Sequence, residues 1–417
     1  MDAVWGGRGS FDRLERTRSG SRVGRSDHAG EVTRMRVVVD GLPLLGEASI
    51  ATYLRELLLH LAVEGKEYEY NLFFRGFRAE IRRRAAQLLA DPVFADFPSR
   101  TIRIPDRLLE SCWTVRSLHL PFTEAWLRRP DLFLSTIYVT PVLRDVAVVM
   151  IAYDLISMRF PQFYGQDQPL LDQRIRRAIE RADAIIAISQ STKRDFVDFL
   201  GADPSRIHVI YPGADARFHP ARDVKEVRRV LAWYRLRQPY LLYVGSLGPH
   251  KNVGTLVRVF RRLSEKRRLP HQLVLCGRAR WGRDVVEAAR DLIDAGNCVV
   301  VDFIPAEDVP HLYHGAEAFG FLSLYEGFGL PPLEAMSCGV PVVVSNAGSL
   351  PEVVGDAALQ VSPTDEEGIE DALDRVLTDA NLREELRSRG LRQAARFSWL
   401  EAARATLKVF DSVVGVH

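Results

Sequence analysis

The sequence predicts an α/β protein made of two doubly wound, Rossmann-like parallel-sheet domains that face each other across a cleft. Three observations predict it. Short apolar segments rich in β-branched residues alternate with segments of helical period along most of the chain, the pattern of strand-helix-strand units. The alternation breaks at 212–223, PGADARFHPARD, where Pro and Gly punctuate the chain, and then restarts. A chain of 417 residues, 47% hydrophobic, is too long for one ordinary core and ample for two.

The elements follow in order. MRVVVDG opens the first domain as a strand, and after the loop LPLLGEAS the segment ATYLRELLLHLAVEG reads as an amphipathic helix ended by Gly65. YEYNLFF is a strand and AEIRRRAAQLLA a helix. DLFLST, VAVVMIAYD, DAIIAIS and IHVIYPG are further strands, with QRIRRAIERA and STKRDFVDFLG as helices between the last three. YLLYVGS begins the second domain. VGTLVRVFRRLSEK, RDVVEAARDLIDAG and AEDVPHLYHGA are its helices, and HQLVLCG, NCVVVDFI, AFGFLSL and VPVVVSN its strands. DEEGIEDALDRVLTD, LREELRSRGLRQAARF and SWLEAARATLKVF are closing helices. The expected domains are thus 35–215 and 216–398, with 399–417 a helix crossing back to the first. Residues 1–34, polar and rich in Arg, Gly and Ser, read as a disordered tail or a start-site artefact, because Met35 begins a first strand. Asp2, Asp12, Glu15, Asp27 and Glu31 argue against a transit peptide.

Composition excludes some classes. A formal net charge of +2 gives no basic field for nucleic acid. Cys112, Cys276, Cys298 and Cys338 are scattered without paired spacing and point to a reducing cytoplasm. No apolar run is long enough to span a bilayer. The arginines of FFRGFRAEIRRRAAQLL read either as a solvated helix face or as a patch resting on an anionic membrane, so peripheral association with the inner membrane face is an open expectation. His311 and His314 share a helical face without partners at metal spacing and, like His119, receive no chemical role.

The richest segment is EGFGLPPLE, from Glu326 to Glu334. It joins the apolar strand before it to a helix opened by Pro331 and Pro332 and stopped by Gly339. The free amides of such a turn and the positive helix end make an anion site, and Gly327 and Gly329 let the backbone approach a diphosphate closely. Two carboxylates on the rim of an anion site are awkward unless they accept hydrogen bonds from hydroxyls. A ligand with phosphates in the middle and a hydroxylated ring at either end fits: a nucleotide-sugar. The bland reading, ordinary turn glycines and solvated glutamates, weakens once GSLGPHKN is added. There Gly245 and Gly248 permit a tight turn between strand and helix, and Lys251, one of six lysines in an arginine-rich chain, reaches toward phosphate.

On these segments the chain from Met35 onward resembles the family-four retaining glycosyltransferases of the GT-B fold, especially the bacterial mannosyltransferase-like branch. The likeness is dense in YLLYVGSLGPHKN and in FIPAEDVPHLYHGAEAFGFLSLYEGFGLPPLEAMSCGVPVVVSNAGSLPEVVGDAAL, and looser in DLISMRFP, ADAIIAISQSTKRDF and VIYPGADARFHP. It implies that Glu334 accepts from the ribose hydroxyls, Glu326 holds a hydroxyl of the transferred sugar, and Lys251 neutralises the diphosphate. Backbone amides of Phe328, Gly329 and Leu330 complete the cradle. Relatives often carry an arginine at the position of Ser246, so the second phosphate cation is either missing or supplied by His250 or Arg278. Arg278 and Ile304 edge the nucleotide base. No Asp-x-Asp pair exists for a metal clamp, so no metal and no cofactor is expected beyond a GDP- or UDP-linked donor. The implied chemistry is front-face displacement, in which the departing phosphate takes the acceptor proton.

The first domain departs from the family pattern. Tyr153-Asp154 stands where relatives carry His-Asp, and a phenol cannot hold a proton in the same pH range. It either donates a hydrogen bond to the sugar or is a packed strand-end aromatic. The acceptor-side loop keeps Gly46 but reads Glu47, Ala48, Ser49 after it, and Leu134 replaces a common histidine. Two function classes follow: a hexosyltransferase, mannose first, acting on a saccharide or lipid-linked acceptor in polysaccharide assembly, or a degenerate nucleotide-sugar-binding subunit without turnover.

Overall fold

The computed structural model describes residues 34–414, apart from 47–48, 116–117, 121, 222, 279–281 and 303. The expected tail, all but Arg34, lies outside the described residues, as do Glu47 and Ala48 of the acceptor-side loop. Two parallel sheets are present. The first contains β1 (Met35–Asp40), β2 (Tyr68–Arg75), β3 (Ser99–Ile102), β4 (Leu132–Ser135), β5 (Ala147–Ala152), β6 (Ala184–Ala187) and β7 (Ile207–Val209), in the order β3-β2-β1-β4-β5-β6-β7. The second contains β8 (Tyr240–Val244), β9 (Gln272–Cys276), β10 (Cys298–Val301), β11 (Ala318–Phe321), β12 (Val342–Ser345) and β13 (Leu359–Val361), in the order β10-β9-β8-β11-β12-β13. All pairings are parallel.

The central strands are apolar on both faces because helices cover both. Val37 and Val39 face one core while Val38, between them, faces the other. In each sheet the chain winds outward one way and then the other, so a crevice opens between β1 and β4 and again between β8 and β11, at the carboxyl ends of the strands. The loops after β8 and β11 carry Lys251 and Glu326. Sheet order alone makes them neighbours, although 75 residues separate them.

Several elements differ from the reading of the sequence, short helices such as Ile156–Arg159 and Leu350–Val354 among them. β3, reading SRTI, and β13, reading LQV, are short edge strands with too little apolar run to signal themselves. Val224–Trp233 is a helix capped by Asp223, with Val227, Val230 and Leu231 on its buried side. The single helix expected over 283–296 is two, Arg283–Ala288 and Arg290–Asp294. The closing helix Trp399–Val414 lies against the first domain's Ser49–Glu64 helix, with Arg404 Nε donating to Glu64 at 2.8 Å and Tyr68 Oη to Asp411 at 2.5 Å.

Candidate active site

The EGFG turn leaves β11 and enters the helix Leu330–Ser337, with Gly329 at φ 105° forming the cap. That angle lies in the left-handed region, which glycine takes without cost. The backbone of the turn is gripped from behind by the loop after β12. Ser349 Oγ donates to the carbonyls of Glu326 at 3.0 Å and Phe328 at 2.7 Å, and Gly348, at φ 60°, leaves no room for a Cβ against Glu326. Phe328 packs on Tyr211 and Phe397. The amides of Phe328, Gly329 and Leu330 therefore belong to a braced helix start.

Glu326 is 7% exposed, and both its oxygens receive Lys251 Nζ, at 2.7 and 2.9 Å. The two residues expected to hold different parts of one ligand thus hold each other. Lys251 also lies 5.5 Å from the centre of the Phe321 ring. Asp154, at the end of β5 in the first domain, senses the same charges: burial holds its carboxyl above the usual range, Glu326 adds to this and Lys251 opposes it. Ile156 donates its backbone N–H to Asp154 at 3.0 Å. Groups from both domains share one field.

Glu334 sits a turn further on. Burial pushes its carboxyl up to about 7, against the hydrogen bond from Tyr313 Oη at 2.9 Å and the nearby charge of Arg217. Arg217, in the interdomain linker, pairs with Asp215 at 2.7 Å and reaches the carbonyl of Ala306 at 3.4 Å, two residues from Ile304. Sequence reasoning missed Arg217, Tyr313 and Ser349. Only their place inside the segments VIYPGADARFHP, FIPAEDVPHLYHGA and VPVVVSNAGSLPE pointed to them.

The remaining expected residues fall as follows. The Gly245 carbonyl lies so close to Gly277 that a Cβ there would be 1.8 Å away, which fixes the loop after β8 against that after β9. Ser246 is exposed at the cleft, and its carbonyl accepts from Tyr243 Oη at 2.7 Å. His250 does not stand ready as a second cation. Burial, aided by the charge of Lys251, lowers its pKa to about 4, so the ring is neutral at pH 7. Arg278 is exposed just beyond β9 and Ile304 is half-buried on the core. Gly46 and Ser49 are exposed in the segment that follows β1. The Tyr153 ring packs edge-on to Tyr53, centroids 5.4 Å apart, and its hydroxyl is buried without a hydrogen-bond partner. Of the two roles left open by the sequence, this placement matches the packed strand-end aromatic. His314 is half-buried and bonded to the His219 carbonyl at 2.6 Å.

The profile described as Glycosyl transferases group 1 matches residues 223–393, and that described as Glycosyltransferase Family 4 matches 50–218. The O-antigen chain mannosyltransferase B of Escherichia coli is 33% identical over 305 residues, 71% of this chain and 78% of that protein. The serotype-specific mannosyltransferase WbdA of Escherichia coli is 28% identical over 272 residues, and the chain spans only 33% of its length. Among solved structures, Anabaena HepE in complex with UDP-glucose has a TM-score of 0.70 at 17% identity, covering 91% of this chain and 100% of that one. Sucrose-phosphate synthase from Thermosynechococcus elongatus has a TM-score of 0.70 at 21% identity, covering 92% and 100%.

Proposed function

We propose a function from one premise, that the chain belongs to the family 4 glycosyltransferases and carries their two-domain GT-B architecture. It transfers a hexose, mannose first, from a nucleotide diphosphate-sugar to a saccharide or lipid-linked saccharide acceptor in polysaccharide biosynthesis. The mannosyltransferase names of the Escherichia coli relatives favour mannose, and the UDP-glucose complex of the Anabaena neighbour favours a diphosphate donor, uridine or guanosine linked. The observation that carries the reading is the convergence of Lys251, Glu326 and Asp154 at the mouth of the β8/β11 crevice, beside the start of the Leu330–Ser337 helix.

Each group has a task. Lys251 and the amides of Phe328, Gly329 and Leu330 neutralise the diphosphate, Glu326 accepts from a hydroxyl of the transferred sugar, and Glu334 from the ribose. Asp154 offers the first domain's carboxyl to the same sugar. The bond from the sugar's anomeric carbon to the diphosphate breaks while the acceptor oxygen bonds that carbon from the same face. Attack on that same face retains the configuration, and the acceptor's proton passes to the departing phosphate oxygen. No protein nucleophile is needed. The enzyme contributes position and fixed charge, and domain closure excludes water.

Glu326→Gln tests this. It keeps the shape and removes the charge, so turnover of GDP-mannose or UDP-sugars should fall at least a hundredfold while the protein remains folded. Unchanged turnover in that variant would refute the assignment. Binding of donor by the native chain with neither transfer nor hydrolysis would favour the degenerate subunit instead. The enzyme works at the inner membrane face in this reading, where Phe77, 64% exposed, stands next to the arginines of the Ala79–Ala90 helix. Co-sedimentation with anionic vesicles should weaken in Phe77→Ser, and equal sedimentation would remove the membrane from the proposal. Among the described residues no helix is long and apolar enough to cross a membrane.

A further inference from the structure

The helix Gln190–Leu200 of the first domain meets the second domain's site turn at Tyr325 and at Gly327, on either side of Glu326. Asp195, only 1% exposed on that helix, accepts from the Tyr325 hydroxyl, and Tyr325 directly precedes Glu326. Arg159 holds Asp195 in place with two hydrogen bonds, Nη2 at 2.5 Å and Nε at 3.1 Å, and its guanidinium lies 5.0 Å from the Tyr325 ring centre. Tyr325 is therefore held by its hydroxyl and by its face, both from the first domain. Two residues on, the Gly327 carbonyl accepts from Thr192 Oγ1 at 3.3 Å, and the same hydroxyl lies 3.0 Å from the Tyr153 carbonyl. A Cβ on Gly327 would stand 2.1 Å from that Tyr153 oxygen. At the helix start, Glu352 of the second domain accepts the backbone N–H groups of Gln190 at 2.9 Å and Ser191 at 2.8 Å, and Tyr211 Oη at 2.8 Å.

We infer that this helix is the docking post for domain closure, and that Asp195 is a positioning residue which sets Glu326 through Tyr325. The contacts have the chemistry of a reversible join. Asp195 and Arg159 satisfy one another within the first domain, so separation of the domains exposes a solvated ion pair rather than an orphaned charge. The helix start, deprived of Glu352, is likewise free to take water. Closure supplies one neutral donor to an existing carboxylate and one carboxylate to an existing helix end. Each is modest alone, and together they fix the register of the turn relative to Asp154. The surrounding second domain braces the backbone of Glu326 through Ser349 but leaves the preceding side chain to the first domain. That division makes the position of Glu326 depend on closure.

The inference rests on the reaction proposed above, and Tyr325→Phe separates the two. The variant removes one hydroxyl and leaves the ring under Arg159. Its kcat should fall tenfold to a hundredfold with donor KM within threefold of native, and added to Asp195→Asn it should cost little more than Asp195→Asn alone, because the Tyr325 hydroxyl acts through that carboxylate. Additive losses, or a loss confined to KM or to thermal stability, would overturn the positioning role. Small-angle scattering reads the docking without turnover. Tyr325→Phe and Glu352→Gln should have a larger radius of gyration than the native protein. Should the native chain turn over no sugar donor, the reaction is wrong while scattering still decides the docking. Equal radii in all three proteins would overturn it.

Discussion

Glu334 carries its charge at a cost that depends on pH. Its folded-state pKa of about 7 lies above the ordinary value of 4.5, so the native protein holds an extra proton between those values. Stability contributed by the neutral form is present at low pH and lost as pH rises through that window, by up to about 3 kcal/mol. Glu334→Gln should therefore raise the melting temperature relative to native at pH 8 and leave it nearly unchanged at pH 4. A ribose needs the charged form as its strongest acceptor. Donor affinity, followed by titration calorimetry, should rise about tenfold from pH 6 to pH 8 in the native protein and stay flat in Glu334→Gln. At this scale the sequence was legible in residue type. Glu326, Glu334 and Lys251 stand out in the sequence because two carboxylates beside an anion site and a lysine in a glycine loop have few other uses. What local spacing does not carry is direction: the Lys251 to Glu326 pair forms across 75 residues, and Tyr153 turns its hydroxyl into the core beside Tyr53.

Among the elements, the EGFG turn is the one with least freedom. Gly327 faces the Tyr153 carbonyl so closely that a methyl group needs the domains to move apart by more than an ångström. Gly327→Ala should lower activity at least a hundredfold, with stability reduced by about 1–3 kcal/mol as for other overpacked sites. Retained activity would show that the turn adapts without the first domain. The sequence placed this turn correctly between strand and helix because Gly, Pro and an apolar run mark both borders. It gave no sign of β3 or β13, since edge strands need few apolar residues when solvent satisfies their outer side. The helix Val224–Trp233 does carry a readable apolar period at Val227, Val230 and Leu231, but its first turn adjoins the linker with its Pro and Gly, which masks the start.

At the level of the whole molecule, the chain crosses between domains twice, once in the linker that carries Arg217 and once into the helix Trp399–Val414. Trp399, at the second crossing, is buried edge-on against Tyr53, centroids 5.3 Å apart, and Tyr53 in turn touches Tyr153. Trp399→Ala should cost about 3–5 kcal/mol in denaturant unfolding and should loosen the first domain before the second, which hydrogen exchange resolves. Two sheets joined by a linker were legible from the restart of the strand and helix alternation. The contacts that hold them face to face were not, because they join single residues of distant segments, such as Glu352 with the amide of Gln190.

The bond between Lys251 and Glu326 also decides what the empty enzyme ignores. A stray phosphate ion that captures the ammonium strands a carboxylate in a poorly solvated place, and a free monosaccharide that captures the carboxylate strands the ammonium. Only a molecule that offers hydroxyl and pyrophosphate together replaces both halves at once. Inorganic phosphate and free mannose should each compete poorly with donor, far more weakly than a nucleoside diphosphate presented together with the sugar, and the cell's abundant simple anions would leave the cleft unoccupied until the right cargo arrives.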